Sequence, residues 1–443
     1  MQNILIQKIC LSNIKKISMK KIFIYNIGCK LRLLDAKRSF DYFTKNNYQL
    51  VDSPKKADTI ILFTCGVTNQ TTQYGLKTIK KLMKYKAELI VAGCMPETDN
   101  DRLKEIFNGK TISTKDLDKN PDKFDGFFSD NVIKFSEIGE VCEPVFSFQE
   151  LEELGPKRFI KRNFSKVKLI NKIDNNFRDY VLKNIFGQNS LPVKMKSYKN
   201  PPIPVRISWG CRNNCSYCSV KKAVGDLRSK PLNMIVNSFK KGIENGFSNF
   251  FLTADDTGSY GIDISSSFPE LLNKLTELEG YYEISIMNLN PQWIVKYIDE
   301  WEEILKKEKI VAVDIPIQSA SKRILNLMRR FADTEKVKDA FLRSRKAYPK
   351  LAFNLHVILG FPTETEKDFY QTLKFINETK PNSGAIFPFS CMPNTDVEKI
   401  DPKLTKEQIN IRVNYAKKYL TSIGYNIKPI QVTNYIFYRR DIN

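Results

Sequence analysis

The sequence predicts an α/β protein made of two parallel-sheet units in tandem, an N-terminal doubly wound open sheet followed by a partial (β/α)6 barrel. Three observations predict it. Over residues 21–93 apolar strand-like runs alternate with amphipathic helical runs, the pattern of a parallel sheet with helices on its faces. Six further strand-like runs separated by helical stretches follow residue 200, as βα units of an incomplete barrel would. Cysteines fall just beyond the strand-like runs, where both architectures gather their ligands.

In the first unit, residues 21–28, 58–64 and 88–93 read as strands, and residues 31–45 and 69–85 as helices. Cys29, Cys65 and Cys94 each stand just past a strand's carboxyl end. In an open parallel sheet those ends share one edge, so three thiols distant in sequence converge on one site. Three unrelated buried thiols are the plainer alternative. In the second unit the strands are residues 203–208, 249–253, 283–287, 310–317, 352–359 and 385–389, with helices such as 231–245 and 371–379 between them. Their carboxyl ends carry the loop Trp209-Gly210-Cys211-Arg212-Asn213-Asn214-Cys215-Ser216-Tyr217-Cys218, then Thr253-Ala254-Asp255-Asp256, Pro316-Ile317-Gln318-Ser319 and Gly360-Phe361-Pro362.

The C-x3-C-x2-C spacing of Cys211, Cys215 and Cys218 suits a four-iron cluster held by three thiolates, which leaves one iron open to a small molecule. A zinc knuckle or an electron-carrying cluster is the alternative, but zinc takes four protein ligands and the sole histidine, His356, lies far along the chain in a mid-strand, barrel-lining position. Cys10, Cys142 and Cys391 share no such placement and read as structural.

Length and composition bound the rest. A chain of 443 residues holds two or three domains, and we divide it into an extension (1–20), the first domain (21–112), an acidic-then-basic connector (113–200), the barrel (201–395) and a C-terminal helix with a short tail (396–443). No run approaches a membrane span, and residues 1–20 lack the apolar core and cleavage site of a signal peptide, with Met19 available as an alternative start. An odd count of nine cysteines outside any small disulfide scaffold points to a reducing, cytoplasmic setting. The net charge of +22 favours nucleic acid or an acidic peptide as partner. Lys157, Arg158, Lys161, Arg162, Lys166, Lys168 and Lys172, interleaved with Phe159, Phe164 and Phe177, form a stripe that suits a phosphate backbone or equally a solvated connector.

These residues resemble those of the radical S-adenosylmethionine (SAM) methylthiotransferases. The Cys211 loop with its aromatic Tyr217 is similar to the radical SAM motif, and Gly28-Cys29, Thr64-Cys65-Gly66-Val67 and Gly93-Cys94 match the family's three amino-terminal cysteine motifs. Leu252-Thr253-Ala254-Asp255-Asp256-Thr257-Gly258-Ser259-Tyr260-Gly261 and Gly225-Asp226-Leu227-Arg228-Ser229 resemble the subfamily that modifies threonylcarbamoyl-adenosine in tRNA. The chain departs from the family at Lys30, Leu31 and Arg32, which replace Gln, Met and Asn, and at Phe63, Lys221 and Val224.

The resemblance implies SAM and two 4Fe-4S clusters as cofactors, one on Cys211, Cys215 and Cys218 and one on Cys29, Cys65 and Cys94. It places Tyr217 near the SAM adenine and makes Thr253, Asp255, Asp256, Gln318 and Ser319 candidate SAM contacts; Arg329 and Arg330 are candidates to face the substrate. It implies one-electron cleavage of SAM, hydrogen abstraction from carbon, sulfur insertion and methylation by a second SAM. A low-potential donor such as flavodoxin or ferredoxin would supply the electron. The family's tRNA enzymes end in an RNA-gripping TRAM barrel, for which residues 421–443 are too short. The acceptor is therefore a modified tRNA adenosine, held by the connector with Lys417, Lys418, Arg439 and Arg440, or else a peptide or protein side chain. A non-catalytic iron-sulfur RNA-binding protein is the reading from another class.

Overall fold

The computed structural model describes residues 19–128, 131–140, 202–429 and 434–439. The basic stripe, Cys10, Cys142 and Arg440 lie outside them.

The first domain is an all-parallel sheet of β1 (Lys21–Asn26), β2 (Gln49–Leu50), β3 (Thr59–Thr64), β4 (Glu88–Gly93) and β5 (Lys110–Ser113), in the order β2-β1-β3-β4-β5. Side chains alternate between its faces along each strand. Ile22, Ile61, Phe63, Ile90 and Ala92 pack with Ala36, Tyr42 and Phe43 of the helix Lys30–Lys45. Phe23, Ile60, Leu62, Leu89 and Val91 pack on the other face with Ile79 and Leu82 of the helix Asn69–Leu82. The sheet is thus doubly wound, and its order reverses between β1 and β3, the switch point at which such sheets bind ligands.

Two boundaries differ from the expectation. The strand 21–28 ends at Asn26, because Asn26 Oδ1 accepts from Gly28 N at 3.1 Å and turns the chain. The connector assigned to 113–200 begins later: Leu117, Phe124, Phe128, Phe135 and Ile138 are buried in the first domain's core, so 113–140 folds onto that sheet. Its acidic composition hid five apolar side chains at irregular spacing.

The second domain has six parallel strands, β6 (Ile203–Arg206), β9 (Asn249–Thr253), β10 (Glu283–Ile286), β11 (Ile310–Gln318), β12 (Ala352–Leu359) and β13 (Ser383–Pro388). A small ribbon of β7 (Ser208–Trp209) and β8 (Arg228–Ser229) frames the cysteine loop. On β12 the buried residues Phe353, Leu355, Val357 and Leu359 join the outer core with the helices. Asn354 and His356 alternate with them, and His356 Nε2 lies 3.5 Å from Asp314 Oδ1 of β11, which fits the barrel-lining reading of that histidine.

The C-terminal segment departs from the expected short tail. After the helix Lys406–Ser422, β14 (Tyr425–Pro429) and β15 (Tyr435–Arg439) form an antiparallel pair, and β15 pairs antiparallel with β13. Tyr425 and Phe437 are buried and face each other edge to face at 5.2 Å. Five-residue alternations of this kind are too short to stand out beside a strong helix, yet they extend the barrel sheet to eight strands.

Candidate active site

Each thiol of the first set is placed by a backbone turn at a strand end. Cys29 caps the helix Lys30–Lys45. Cys65 follows β3, and Cys94 follows Gly93, whose φ of +101° and close approach exclude a side chain: a Cβ there would lie 2.5 Å from Thr64 O. Cys94 N donates to Thr64 O at 3.2 Å, so the second and third thiols are tied through adjacent strands. The three thiols act on one another electrostatically. Burial and the charge of Cys29 push Cys65 up, and burial with Cys65 and Cys29 pushes Cys94 up against the pull of Arg32.

The second set is placed by the loop after β7. Gly210, at φ +75°, passes so close to the β8 side of the loop that a Cβ would sit 1.9 Å from Asp226 O. Gly210 N donates to Asp255 Oδ2 at 3.0 Å. Asn213 organises the turn: its backbone N and Nδ2 both approach Cys211 Sγ at 3.4 Å, while Nδ2 also donates to Asp256 Oδ2 at 2.7 Å. Trp293 Nε1 holds the same carboxylate at 3.0 Å. Burial, then Asp256, pushes the Cys211 thiol up to about 12, with Asn213 opposing. Burial raises Cys218 as well. Tyr217 packs against Phe361 with ring centroids 6.4 Å apart, in an apolar cluster that includes Met328 and the partly buried Cys391.

A guanidinium lies against one thiol of each set, buried at the first and half-buried at the second. Arg32 Nη1 is 3.8 Å from Cys94 Sγ, and Arg330 Nη1 is 3.8 Å from Cys215 Sγ. Arg330 also donates to Pro316 O, whereas the adjacent Arg329 is turned outward to Asp396 at 2.6 Å. The pair proposed to face substrate is therefore split, since Arg329 adopts φ +55° and reverses the chain between them.

The two sets are brought together by contacts between the domains. Ser219 Oγ, one residue past Cys218, donates to Gly66 O, one residue past Cys65, at 2.8 Å. Arg206 of β6 pairs with Asp35 at 2.8 Å and with Glu140 at 3.2 Å, and its Nη2 donates to Leu31 O at 2.7 Å. Lys230 completes the buried network with Glu140 at 2.6 Å. Arg228 pairs with Asp118, which gives that motif residue a docking role.

The predicted SAM contacts divide. Asp255 stands between the sets: it accepts from Gly210, and its charge bears on Arg32, Cys94, Cys211 and Cys218. Burial holds both Asp255 and Asp256 above the usual carboxylate range. Thr253 ends β9 and its carbonyl accepts from Ile207 N at 3.1 Å. Gln318 ends β11 at φ +71°, and its buried Oε1 has no hydrogen-bond partner. Ser319 differs: its hydroxyl lies 3.3 Å from Thr372 Oγ1 of the helix Glu366–Thr379 and accepts from Ser321 N.

Among the described residues no three Cys, His, Asp or Glu side chains close on a single point as one metal ion demands. A four-iron cluster is ligated at separate corners, and its anionic charge suits thiols beside one cation. The mutually interacting Cys29, Cys65 and Cys94 beside Arg32 fit such a group, and so do the donors of the Cys211 loop, where Cys215 acts on Cys218 and lies against Arg330.

Comparison with known proteins agrees. Residues 205–376 match the Radical SAM superfamily and residues 21–113 match the Uncharacterized protein family UPF0004. The chain is 25% identical over 382 residues to the probable threonylcarbamoyladenosine tRNA methylthiotransferase of Pyrococcus horikoshii, covering 86% of this chain and 79% of that protein. It is 29% identical over 401 residues to the human threonylcarbamoyladenosine tRNA methylthiotransferase, covering 88% of this chain and 61% of that one. The ribosomal protein uS12 methylthiotransferase RimO of Clostridium botulinum is 29% identical over 392 residues, covering 87% and 78%. In fold the chain is similar to the radical SAM methyltransferase TsrM from Kitasatospora setae, with a TM-score of 0.55 at 11% identity over 86% of this chain and 74% of that one. Fold and sequence together define a radical SAM enzyme carrying a second cysteine domain ahead of its barrel. Over most of its length the chain is similar to radical SAM methylthiotransferases, and the match implies SAM and two 4Fe-4S clusters as cofactors. Among the described residues no helix is long and apolar enough to cross a membrane.

Proposed function

We propose that this enzyme inserts sulfur at a C–H bond of a modified tRNA adenosine and methylates it. The observation that carries the reading is the approach of two three-thiol sets, joined through Ser219 and Gly66 and sharing Asp255. The names of the relatives from Pyrococcus horikoshii and human supply the acceptor. Cys211, Cys215 and Cys218 hold one cluster and Cys29, Cys65 and Cys94 the other; with SAM bound, the pair supplies one-electron cleavage chemistry and a carrier for sulfur.

The remaining roles belong to the chain. Asn213, Asp256 and Trp293 fix the Cys211 loop, and the two N–H donors of Asn213 lower the charge on its sulfur. Asp255 presents a carboxylate, and Gln318 an unpartnered acceptor, to a cationic amine. Tyr217 offers an aromatic edge to a purine, and Ser319 positions the strand end. A flavodoxin or ferredoxin class donor supplies the electron, and the cytoplasm is the compartment in which tRNA is met.

The relative named for ribosomal protein uS12 supports a second reading, in which the acceptor is a protein side chain. Mass spectrometry of nucleosides and of ribosomal proteins, from cells with and without the gene, separates the two. A methylthio mass gained on a nucleoside only when the gene is present supports tRNA; its appearance on a protein instead overturns that acceptor. In the purified enzyme, Cys215→Ala should abolish reductive SAM cleavage while Cys65→Ala retains it. Equal loss in both would count against two separate clusters.

A further inference from the structure

Arg32 is one of the largest fully buried side chains, 2% exposed, and it stands beside the thiols of the first set. Its position is prepared by the residues around it. A Cβ on Gly28 would lie 2.6 Å from both Cβ and Cγ of Arg32, so the glycine ahead of Cys29 leaves the room that the arginine stem fills. Asp35, one turn along the helix, holds Nε at 3.1 Å and is itself held by Arg206 of the other domain. The guanidinium so fixed presents Nη1 to Cys94 Sγ at 3.8 Å. Its charge acts on Cys94, Cys65, Cys29 and Asp255, whereas Arg330 acts on Cys215, Tyr217 and Asp256. Each thiol set thus has its own cation.

We propose that Arg32 is a positioning residue which, through the Cys94 thiolate, raises the reduction potential of the cluster on Cys29, Cys65 and Cys94 independently of the cluster in the barrel. The inference rests on the reading above that this set holds a cluster. One electron enters that cluster from a low-potential donor, no bond is made or broken, and the added negative charge is stabilised by a cation fixed in a medium that screens poorly. Burial makes the guanidinium unable to swing away or be replaced by water.

The test is a redox titration, followed by electron paramagnetic resonance, of the anaerobically reconstituted full chain carrying Cys211→Ala, Cys215→Ala and Cys218→Ala, so that a single cluster titrates. Arg32→Gln in this background should lower the equilibrium constant for reduction at least tenfold, about 59 mV for a one-electron couple. Asp35→Asn should produce a smaller shift of opposite sign, because it removes the anion that offsets Arg32. A general loosening of the fold would not give opposite signs. In the complementary background, with Cys29, Cys65 and Cys94 changed to Ala, Arg32→Gln should leave the barrel cluster within twofold of its parent. A loaded cluster on Cys29, Cys65 and Cys94 whose potential does not move in Arg32→Gln, or equal shifts in both backgrounds, overturns the inference and leaves the proposed function standing. Failure of the first background to bind iron, where the second binds it, overturns both.

Discussion

Glu140 offers the sharpest test of how the domains are locked. Its carboxylate is buried between Arg206 at 3.2 Å and Lys230 at 2.6 Å. Burial alone would raise its proton affinity, but Arg206, Lys230 and Arg38 outweigh it and hold the group at about 2 in place of 4.5. At about 1.4 kcal/mol for each tenfold change in proton affinity, that difference contributes about 3 kcal/mol at neutral pH. The sign follows from the depressed value. The contribution is complete above the unfolded-state value of 4.5 and is lost as the pH falls through about 2. Glu140→Gln keeps the shape and removes the charge, leaving Lys230, already held below its ordinary value by burial, without its partner. Calorimetry on the two proteins from pH 7 to pH 3 should show the variant's Tm lower by several degrees at pH 7 and the gap narrowing as acid is added. A gap that stays constant with pH, or a variant as stable as the parent at pH 7, would refute the assignment of that network as the lock.

Other outcomes follow from the same geometry. Ser319→Ala should leave SAM binding unchanged, by equilibrium dialysis, while lowering stability by about 1 kcal/mol through the lost contact with Thr372. Asp255→Asn, by contrast, should weaken SAM binding with little change in Tm, because its carboxylate faces the site. Gly93→Ala should destabilise the first domain by at least ~1–3 kcal/mol and reduce iron loading at its set, since φ +101° is strained for alanine and its Cβ meets Thr64 O at 2.5 Å. Ending the chain after residue 422 should yield insoluble protein, since it strips β15 from β13 and exposes a bare sheet edge.

The thiols were the legible part of this protein. Strand ends can be read from short apolar runs, and a cysteine at three successive ends of a parallel sheet has one geometric consequence, so the first set is legible from that placement and the second from its C-x3-C-x2-C spacing. Strand interiors were equally readable, because alternation and apolar runs are local. What the sequence hides is every feature made by residues that meet only after both domains fold. Arg206 and Asp35 lie in different domains, and Glu140 comes from a stretch that composition marks as acidic linker. Their charges look like ordinary surface charges until the partners are known, because isolated charged residues carry no period. Ser319 shows the same limit from the other direction: a polar residue at a strand end looks like its neighbour Gln318 in sequence, and only the fold shows its hydroxyl beside Thr372 of a helix.

Arg32 joins the two kinds of information. The sequence marks it as a departure from the pattern that the chain otherwise resembles, and only the fold shows that the departure puts a fixed positive charge against the Cys94 thiol. A neutral amide at that place would satisfy the hydrogen bond to Cys94 but would leave Asp35 with Arg206 alone and take one cation from Asp255. Arg32 therefore sets the electrostatics of the Cys29, Cys65 and Cys94 site while leaving its ligands intact, which is why the potential of that cluster, and not the presence of iron, is the quantity that Arg32→Gln should move.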